Sequence, residues 1–205
     1  KIGLNDGEII FTSVLGELQG GVGTQTLLEN GLKGDFFING EPTDLNFMTI
    51  HAGTYSFTVN IKGETRHLSK LDEATDATLI MNKILSELHS LDISKNIKNE
   101  NEKQLNLIHI GAVKSGLGEN FSEDRPPQVS DNAVIYGSIR FTNFSDIKEI
   151  NRQIETIITK YKKNYKNAKI EFEIQTNNPI MPPIKTDLSE QTLGLISNSN
   201  KLIRK

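Results

Sequence analysis

The spacing of apolar residues between about residues 51 and 176 constrains the fold more than any other feature of this sequence. Apolar and polar residues alternate in two segments, as they do in half-buried strands, and two further segments are rich in strand-forming residues. The four strands are predicted over residues 55–61, 105–113, 133–141 and 170–174. Apolar residues recur every three or four positions over 77–91 and 147–161, which predicts two amphipathic helices. The order β-α-β-β-α-β predicts an α+β domain with a four-stranded antiparallel sheet and two helices, the split βαβ arrangement.

A different pattern precedes residue 47. Residues 8–16 and 35–39 are apolar and rich in strand formers, and residues 24–32 have the character of a short helix that ends at Asn30 and Gly31. A strand, a helix and a strand at this spacing predict a βαβ unit, and therefore a parallel sheet.

Residues 187–205 are predicted to be helical and follow a proline-containing break. We therefore expect three regions: residues 1–47 belong to an α/β domain, residues 48–176 form an inserted α+β domain, and residues 177–205 return to the α/β domain. The sequence starts at Lys1 without a Met or a signal peptide and stops within a predicted helix. We expect it to be a piece of a longer protein in which the α/β domain is truncated.

Composition excludes several classes of protein. Acidic residues outnumber basic ones by 26 to 23, giving a net charge of −3, so the basic surplus of a nucleic-acid binder is missing. No apolar run approaches the roughly 20 residues that a membrane span requires. The absence of cysteine removes disulfides, thiol nucleophiles and thiolate ligands. Any metal ion must therefore be bound by oxygen and nitrogen atoms.

The first candidate site is the loop that follows the predicted strand 8–16. Glu17 lies there, just before Gly20, Gly21 and Gly23. Open α/β sheets bind ligands beyond such strand ends. The loop matches neither glycine-rich phosphate-binding motif, so we do not expect a nucleotide site. The alternative interpretation is a surface carboxylate beside a flexible turn.

Glu41 is the second candidate, because it follows the other predicted strand of this unit. Two carboxylates at neighbouring strand ends can share a metal ion or a proton.

The α+β region contains further candidates, which are single polar residues. His67 follows a predicted strand, although a lone histidine is more often structural or solvated; His51, His89 and His109 receive that structural interpretation. Arg140 lies on the strand face opposite Ile139. Alternation leaves open whether that face meets solvent or a binding site.

Five short motifs, taken together and in order, resemble the zinc-dependent M20 family of peptidases and deacylases. They are ELQGGVGT at 17–24, GEPTDL at 40–45, HAG at 51–53, GETRH at 63–67 and IRF at 139–141. The family includes acetylornithine deacetylase, succinyl-diaminopimelate desuccinylase and glutamate-releasing carboxypeptidases. The resemblance implies a catalytic α/β domain with an inserted α+β lid that forms a dimer.

The resemblance also implies roles in the catalytic domain. Glu17 aligns with the general base of the family, and Glu41 aligns with a carboxylate that binds one metal ion. Leu18 stands where the family has a second glutamate, a ligand of the other metal ion. The remaining metal ligands of the family are expected before Lys1 and after Lys205.

Three lid residues receive roles by the same resemblance. His67 aligns with the histidine that reaches the active site of the partner subunit and stabilises the oxyanion. Arg140 aligns with the arginine that binds the substrate carboxylate, and Asn120 with a substrate-binding asparagine.

The resemblance implies a cytoplasmic homodimer that contains one or two zinc ions, or another divalent metal, and hydrolyses the amide bond of N-acyl amino acids or small peptides. Deacetylase, desuccinylase and carboxypeptidase activities all remain open, and neither nucleic acid nor membrane is expected as a partner. The segment by itself is expected to be inactive. The alternative, motivated by Leu18, is a non-catalytic relative retained for binding or dimerisation.

Overall fold

The computed structural model describes residues 7–44, 46–122, 127–143, 146–177 and 180–203. The chain divides into two compact units, Lys1–Pro42 and Thr43–Lys205. No helix in the described ranges is both long and apolar enough to cross a membrane.

The second unit is built on a four-stranded antiparallel sheet in the order β3-β4-β2-β5. Its strands are β2 (Gly53–Lys62), β3 (Leu107–Gly116), β4 (Asn132–Phe141) and β5 (Lys169–Ile174). Helix α2 (Ala77–Ser90) connects β2 to β3, and helix α4 (Ile147–Asn164) connects β4 to β5. The predicted β-α-β-β-α-β domain is therefore confirmed, and its four strands and two helices lie where the sequence pattern put them.

Shorter elements complete this unit. Strands β1 (Ile50–His51) and β6 (Ile184–Lys185) pair antiparallel as a two-stranded ribbon. The backbone N–H of Thr54 donates to the carbonyl oxygen of Met181, and the N–H of Met181 donates back to Thr54. The chain therefore enters and leaves the four-stranded domain side by side. A short helix, α3 (Glu100–Lys103), precedes β3, and α5 (Glu190–Ile203) follows β6.

The core lies between one face of the sheet and the two helices. Alternate residues of β2 point into it, and they meet apolar residues of α2 and α4 at helical spacing. Its largest fully buried side chains include Tyr55, Phe57, Ile61, Ile80, Ile84, Leu88, Ile135, Ile139 and Ile154. Gly137 of β4 lies under the Phe57 ring, since a Cβ atom there would come within 2.3 Å of the ring atoms. The opposite face of the sheet, called here the outer face, carries polar residues.

A hydrogen-bond cluster joins helices α2 and α4 near the surface. The Tyr161 hydroxyl and the Lys160 ammonium both donate to the Glu87 carboxylate. These donors, Lys160 foremost, hold the pKa of Glu87 below its usual range. Burial, followed by the Glu87 carboxylate, raises the pKa of Tyr161 to about 12.

The first unit differs from its prediction. Helix α1 (Val22–Glu29) forms as expected and ends at Asn30, and Gly31 takes the left-handed conformation with φ 89°. However, the strands predicted over 8–16 and 35–39 are wrong, because none of these residues is in a strand. Phe11 and Phe37 are 90% and 77% exposed. A strand needs a second strand to pair with, and neither segment pairs with one among the described residues.

We predict that Tyr161→Phe lowers the free energy of unfolding by about 1 kcal/mol at pH 7, because the ring still packs while the hydrogen bond to Glu87 is lost. The lowered pKa of Glu87 contributes stability above the ordinary carboxyl range, and that contribution disappears as the pH falls. The difference between wild type and variant should therefore shrink below about pH 4. Urea titrations across pH measure both effects.

The control is Tyr165→Phe, which removes a hydroxyl that accepts from the exposed Lys83 ammonium. It should cost less than Tyr161→Phe. Equal losses for the two variants would contradict the importance of the Glu87 cluster.

Candidate functional site

The loop that carries Glu17 is shaped by glycines. Glu17 begins a 3-10 turn (Glu17–Gln19) between Gly16 and Gly20, both left-handed with φ 82°. A Cβ atom at Gly16 would lie 2.3 Å from the Val22 side chain, so both conformation and space require glycine there. The turn leaves the Glu17 carboxylate exposed, and Leu18 beside it is 91% exposed.

Glu41 lies in the same unit. Its carboxylate accepts a hydrogen bond of 2.9 Å from the Asn39 side-chain amide and is exposed. Within the described ranges, no group of three or more His, Asp or Glu side chains is arranged to hold a metal ion. Structural zinc sites usually have four protein ligands and catalytic sites three. The described residues therefore supply no complete zinc site.

His67 lies beyond the end of β2, where the chain packs against the segment that leads into β4. The N–H of Leu68 donates to Pro127, and the N–H of Val129 donates to Arg66. The Nδ1 atom of His67 accepts from the backbone N–H of Ser69 at 3.2 Å. A backbone N–H can only donate, so the proton of the neutral ring lies on Nε2. His67 therefore presents an exposed Nε2–H donor in a fixed orientation.

Asn120 lies in the turn that follows β3, between the bridged residues Leu117 and Ser122. The loop is tight: the Gly118 N–H donates to the Asp131 carboxylate at 2.8 Å, and a Cβ atom at Gly116 would clash with the Phe121 backbone at 2.6 Å. Asn120 is exposed. Because β3 ends beside the start of β4 and the end of β2, Asn120 and His67 share one end of the sheet.

Arg140 lies at the opposite end of the sheet. It pairs across β4 with Thr54 of β2 and Leu107 of β3, and its side chain points to the outer face. It lies eight positions along β4 from Asn132, the residue beside the His67 end. At about 3.3 Å per residue, the two ends are about 26 Å apart. The structure thus groups His67 with Asn120 and separates both from Arg140.

One residue near Arg140 received only a structural interpretation from the sequence. His109 of β3 is paired with Ser138, two residues before Arg140 on the same face of β4, and it is exposed. Alternation with Ile108 and Ile110 gave the signal that His109 faces away from the core. The sequence did not reveal the register that brings it beside Arg140.

Comparisons with known proteins agree with this architecture. The model of the M20 peptidase dimerisation domain matches residues 49–166, which is more than half of the chain. A curated relative, the succinyl-diaminopimelate desuccinylase of Rickettsia felis, is 28% identical over 142 residues. That match covers 67% of this chain, and the chain spans 35% of the length of the relative.

Two solved structures share the fold. A tripeptidase from Staphylococcus aureus has a TM-score of 0.70 at 18% identity, and aminopeptidase PepT from Bacillus cereus has 0.67 at 13% identity. Each match covers 93% of this chain and 46% of the solved chain. The family model matches most of the α+β domain over Gly53–Ile174, and the chain belongs to the M20 peptidase family.

Proposed function

We propose that this chain is part of an enzyme that hydrolyses the amide bond of N-acyl amino acids or small peptides. The observation that carries the proposal is the family match over residues 49–166, joined to the polar residues that this domain presents at its two ends. The desuccinylase relative and the fold shared with two peptidases support amide substrates. Arg140, at one end of the sheet, favours substrates that carry a carboxylate, since a guanidinium binds carboxylates bidentately.

The family is generally metal-dependent, usually with zinc, which would supply an acidified water and an electrophile for the amide carbonyl. Glu41 offers one carboxylate ligand, and the described residues alone do not fit a complete site. In the proposed reaction, Glu17 takes the proton of the attacking water. The Nε2–H of His67 donates to the oxyanion that forms at the carbonyl, and Arg140 holds the substrate carboxylate.

A second candidate function is binding or dimerisation without catalysis. Leu18 favours it, because an exposed apolar side chain stands where the family has an acidic ligand, and a leucine cannot bind a metal ion. If the enzyme is active, we expect one of its two metal positions to be weakly occupied. Elemental analysis of the full-length natural protein separates a protein without metal from one with one or two ions per chain.

We predict that Glu17→Gln in the full-length natural protein lowers kcat by about 10²–10⁴-fold, because glutamine keeps the shape but cannot accept the proton. Hydrolysis of a panel of N-acetyl and N-succinyl amino acids and tripeptides provides the assay. Glu29→Gln is the matched control, since Glu29 is another exposed carboxylate of the first unit. Turnover by the Glu17 variant at the wild-type level would favour the non-catalytic alternative.

We infer further that His67 acts in the active site of a partner subunit. The sheet end beside His67 and Asn120 is about 26 Å from the end that carries Arg140, and a small substrate does not span that distance. If Arg140 binds a substrate in its own subunit, His67 at the other end of the sheet cannot reach that substrate and acts in the active site of another subunit. A homodimer satisfies this requirement.

A complementation experiment tests this inference. His67→Ala and Glu17→Gln subunits, each inactive alone, are mixed and allowed to exchange. If His67 acts in the partner's site, we expect about a quarter of wild-type activity, because half of the dimers are heterodimers with one complete site of two. If mixing restores nothing although exchange has occurred, His67 acts within its own subunit.

The free edge of β3 is the surface that we propose for the dimer contact. β3 is ten residues long, and its Leu107 and Val113 are 39% and 46% exposed. The other edge strand, β5, has six residues and carries the charged Lys169, Glu171 and Glu173 on its outer face. Charged residues discourage pairing at an edge, whereas a long apolar edge invites it. β3 also leads directly into the loop of Asn120.

We predict that Val113→Lys weakens the homodimer by about tenfold or more, because it brings a charge to the contact in both subunits. Sedimentation velocity over a range of concentrations measures the dissociation constant. The control is Glu173→Lys on the opposite edge, which should leave the dimer unchanged. Stronger dissociation in the Glu173 variant would place the contact at β5 instead.

A further inference from the structure

The outer face of the sheet near Arg140 holds a group of hydrogen-bond donors that the proposed reaction does not yet use. The strand register places Leu107, Arg140 and Thr54 in one row and His109, Ser138 and Ser56 in the next. Their neighbours Ile108, Ile139 and Tyr55 point into the core or pack against it. Successive side chains of a strand point to opposite faces, so the six residues of the two rows share the outer face.

His109 is close enough to Arg140 for both to reach one ligand. The two residues are diagonal neighbours on adjacent strands, a relationship that separates Cα atoms by about 7–8 Å. An arginine side chain covers that distance, and the Ser138 hydroxyl lies in the row of His109, next to Arg140 along β4. The arrangement offers a guanidinium, an imidazole N–H and a hydroxyl, all of which donate hydrogen bonds.

None of the described residues neutralises these donors. Within the described ranges, the side chains of Arg140 and His109 make no hydrogen bond and no ion pair. The acidic residues of the segment before β3 are already paired, Glu100 with Lys103 and Glu102 with Lys185. An unpaired guanidinium beside unpaired N–H and hydroxyl donors is a surface suited to an anion.

We propose that His109 is a specificity-determining residue, whose imidazole N–H donates to the same substrate carboxylate that Arg140 binds. This inference rests on the proposed function, which gives Arg140 the substrate carboxylate. A site with two donor residues discriminates a carboxylate from an amide better than arginine alone, because an amide offers one acceptor oxygen in place of two. Pairing of β3 edges in a dimer leaves the outer face open, so the site does not conflict with the proposed contact.

Nuclear magnetic resonance titration of the 205-residue chain tests the proposal without relying on hydrolysis. The probes are N-acetylalanine, which carries a carboxylate, and N-acetylalaninamide, which carries a neutral amide of the same shape. We expect the carboxylate to shift the backbone amide signals of Arg140, Ser138 and His109, and the amide probe to bind more weakly. His109→Leu should raise the dissociation constant for N-acetylalanine by about three- to tenfold, and His109→Gln, which keeps an N–H donor, should restore most of the affinity.

Two further variants distinguish failure of this inference from failure of the proposed function. Arg140→Ala should remove most of the carboxylate binding. Lys114→Ala should leave the binding of the carboxylate unchanged. Lys114 is a cation on the same strand and face as His109, but it pairs with Val134, which is about 20 Å from Arg140 along β4. If Arg140→Ala abolishes binding and His109→Leu does not, the role of His109 is wrong and that of Arg140 stands.

If the carboxylate binds and neither Arg140→Ala nor His109→Leu weakens it, the carboxylate anchor itself is wrong. If Lys114→Ala weakens binding as much as His109→Leu, the surface attracts anions by net charge alone, and the proposal fails.

Discussion

The packing of alternate β2 residues against α2 and α4 is the interaction on which the second unit depends. β2 is central to the sheet, paired with β4 along its whole length and with β5 along its second half. Its inward residues Tyr55, Phe57, Val59 and Ile61 are almost completely buried. Strand β2 is hydrogen-bonded to a neighbouring strand on each side and packed against the helices on one face, so it forms a stiff element. The candidate residues at the two ends of the sheet are therefore held at a set separation.

The sequence pattern predicted this domain because its periodicity reflects burial on one face. Residues that alternate, or that recur every three or four positions, indicate which side chains meet the core. The same reasoning failed for residues 8–16 and 35–39. Their apolar composition indicates that these side chains favour burial, but it does not predict which strand would pair with them. Among the described residues, no strand pairs with either segment. Strand propensity depends on neighbours more than helix propensity does, and helix α1 formed as predicted in the same unit.

The sequence offered candidate site residues, but it could not predict how they are arranged. Two motifs named His67 and Arg140 as candidates, the family resemblance added Asn120, and alternation placed Arg140 away from the core. Which residues share an end of the sheet depends on strand order and direction, which are long-range properties. The neighbours of His109 and Arg140 depend likewise on the register between β3 and β4, which includes an irregularity between Ile110 and Ala112. A shift of one residue there would have put His109 on the opposite face.

The ribbon of β1 and β6 has a consequence for how this domain is accommodated in a chain. Thr54 and Met181 are joined by two backbone hydrogen bonds, although 126 residues lie between them in sequence. A domain whose two ends meet holds the flanking segments at the spacing of neighbouring strands. The flanking segments are therefore connected as they would be by a short loop. Folding of the domain already brings its two ends together, so the flanking segments meet without a further entropic cost of loop closure. Chain ends that lie close together are the geometry that lets a domain be placed within a chain without forcing its flanking segments apart.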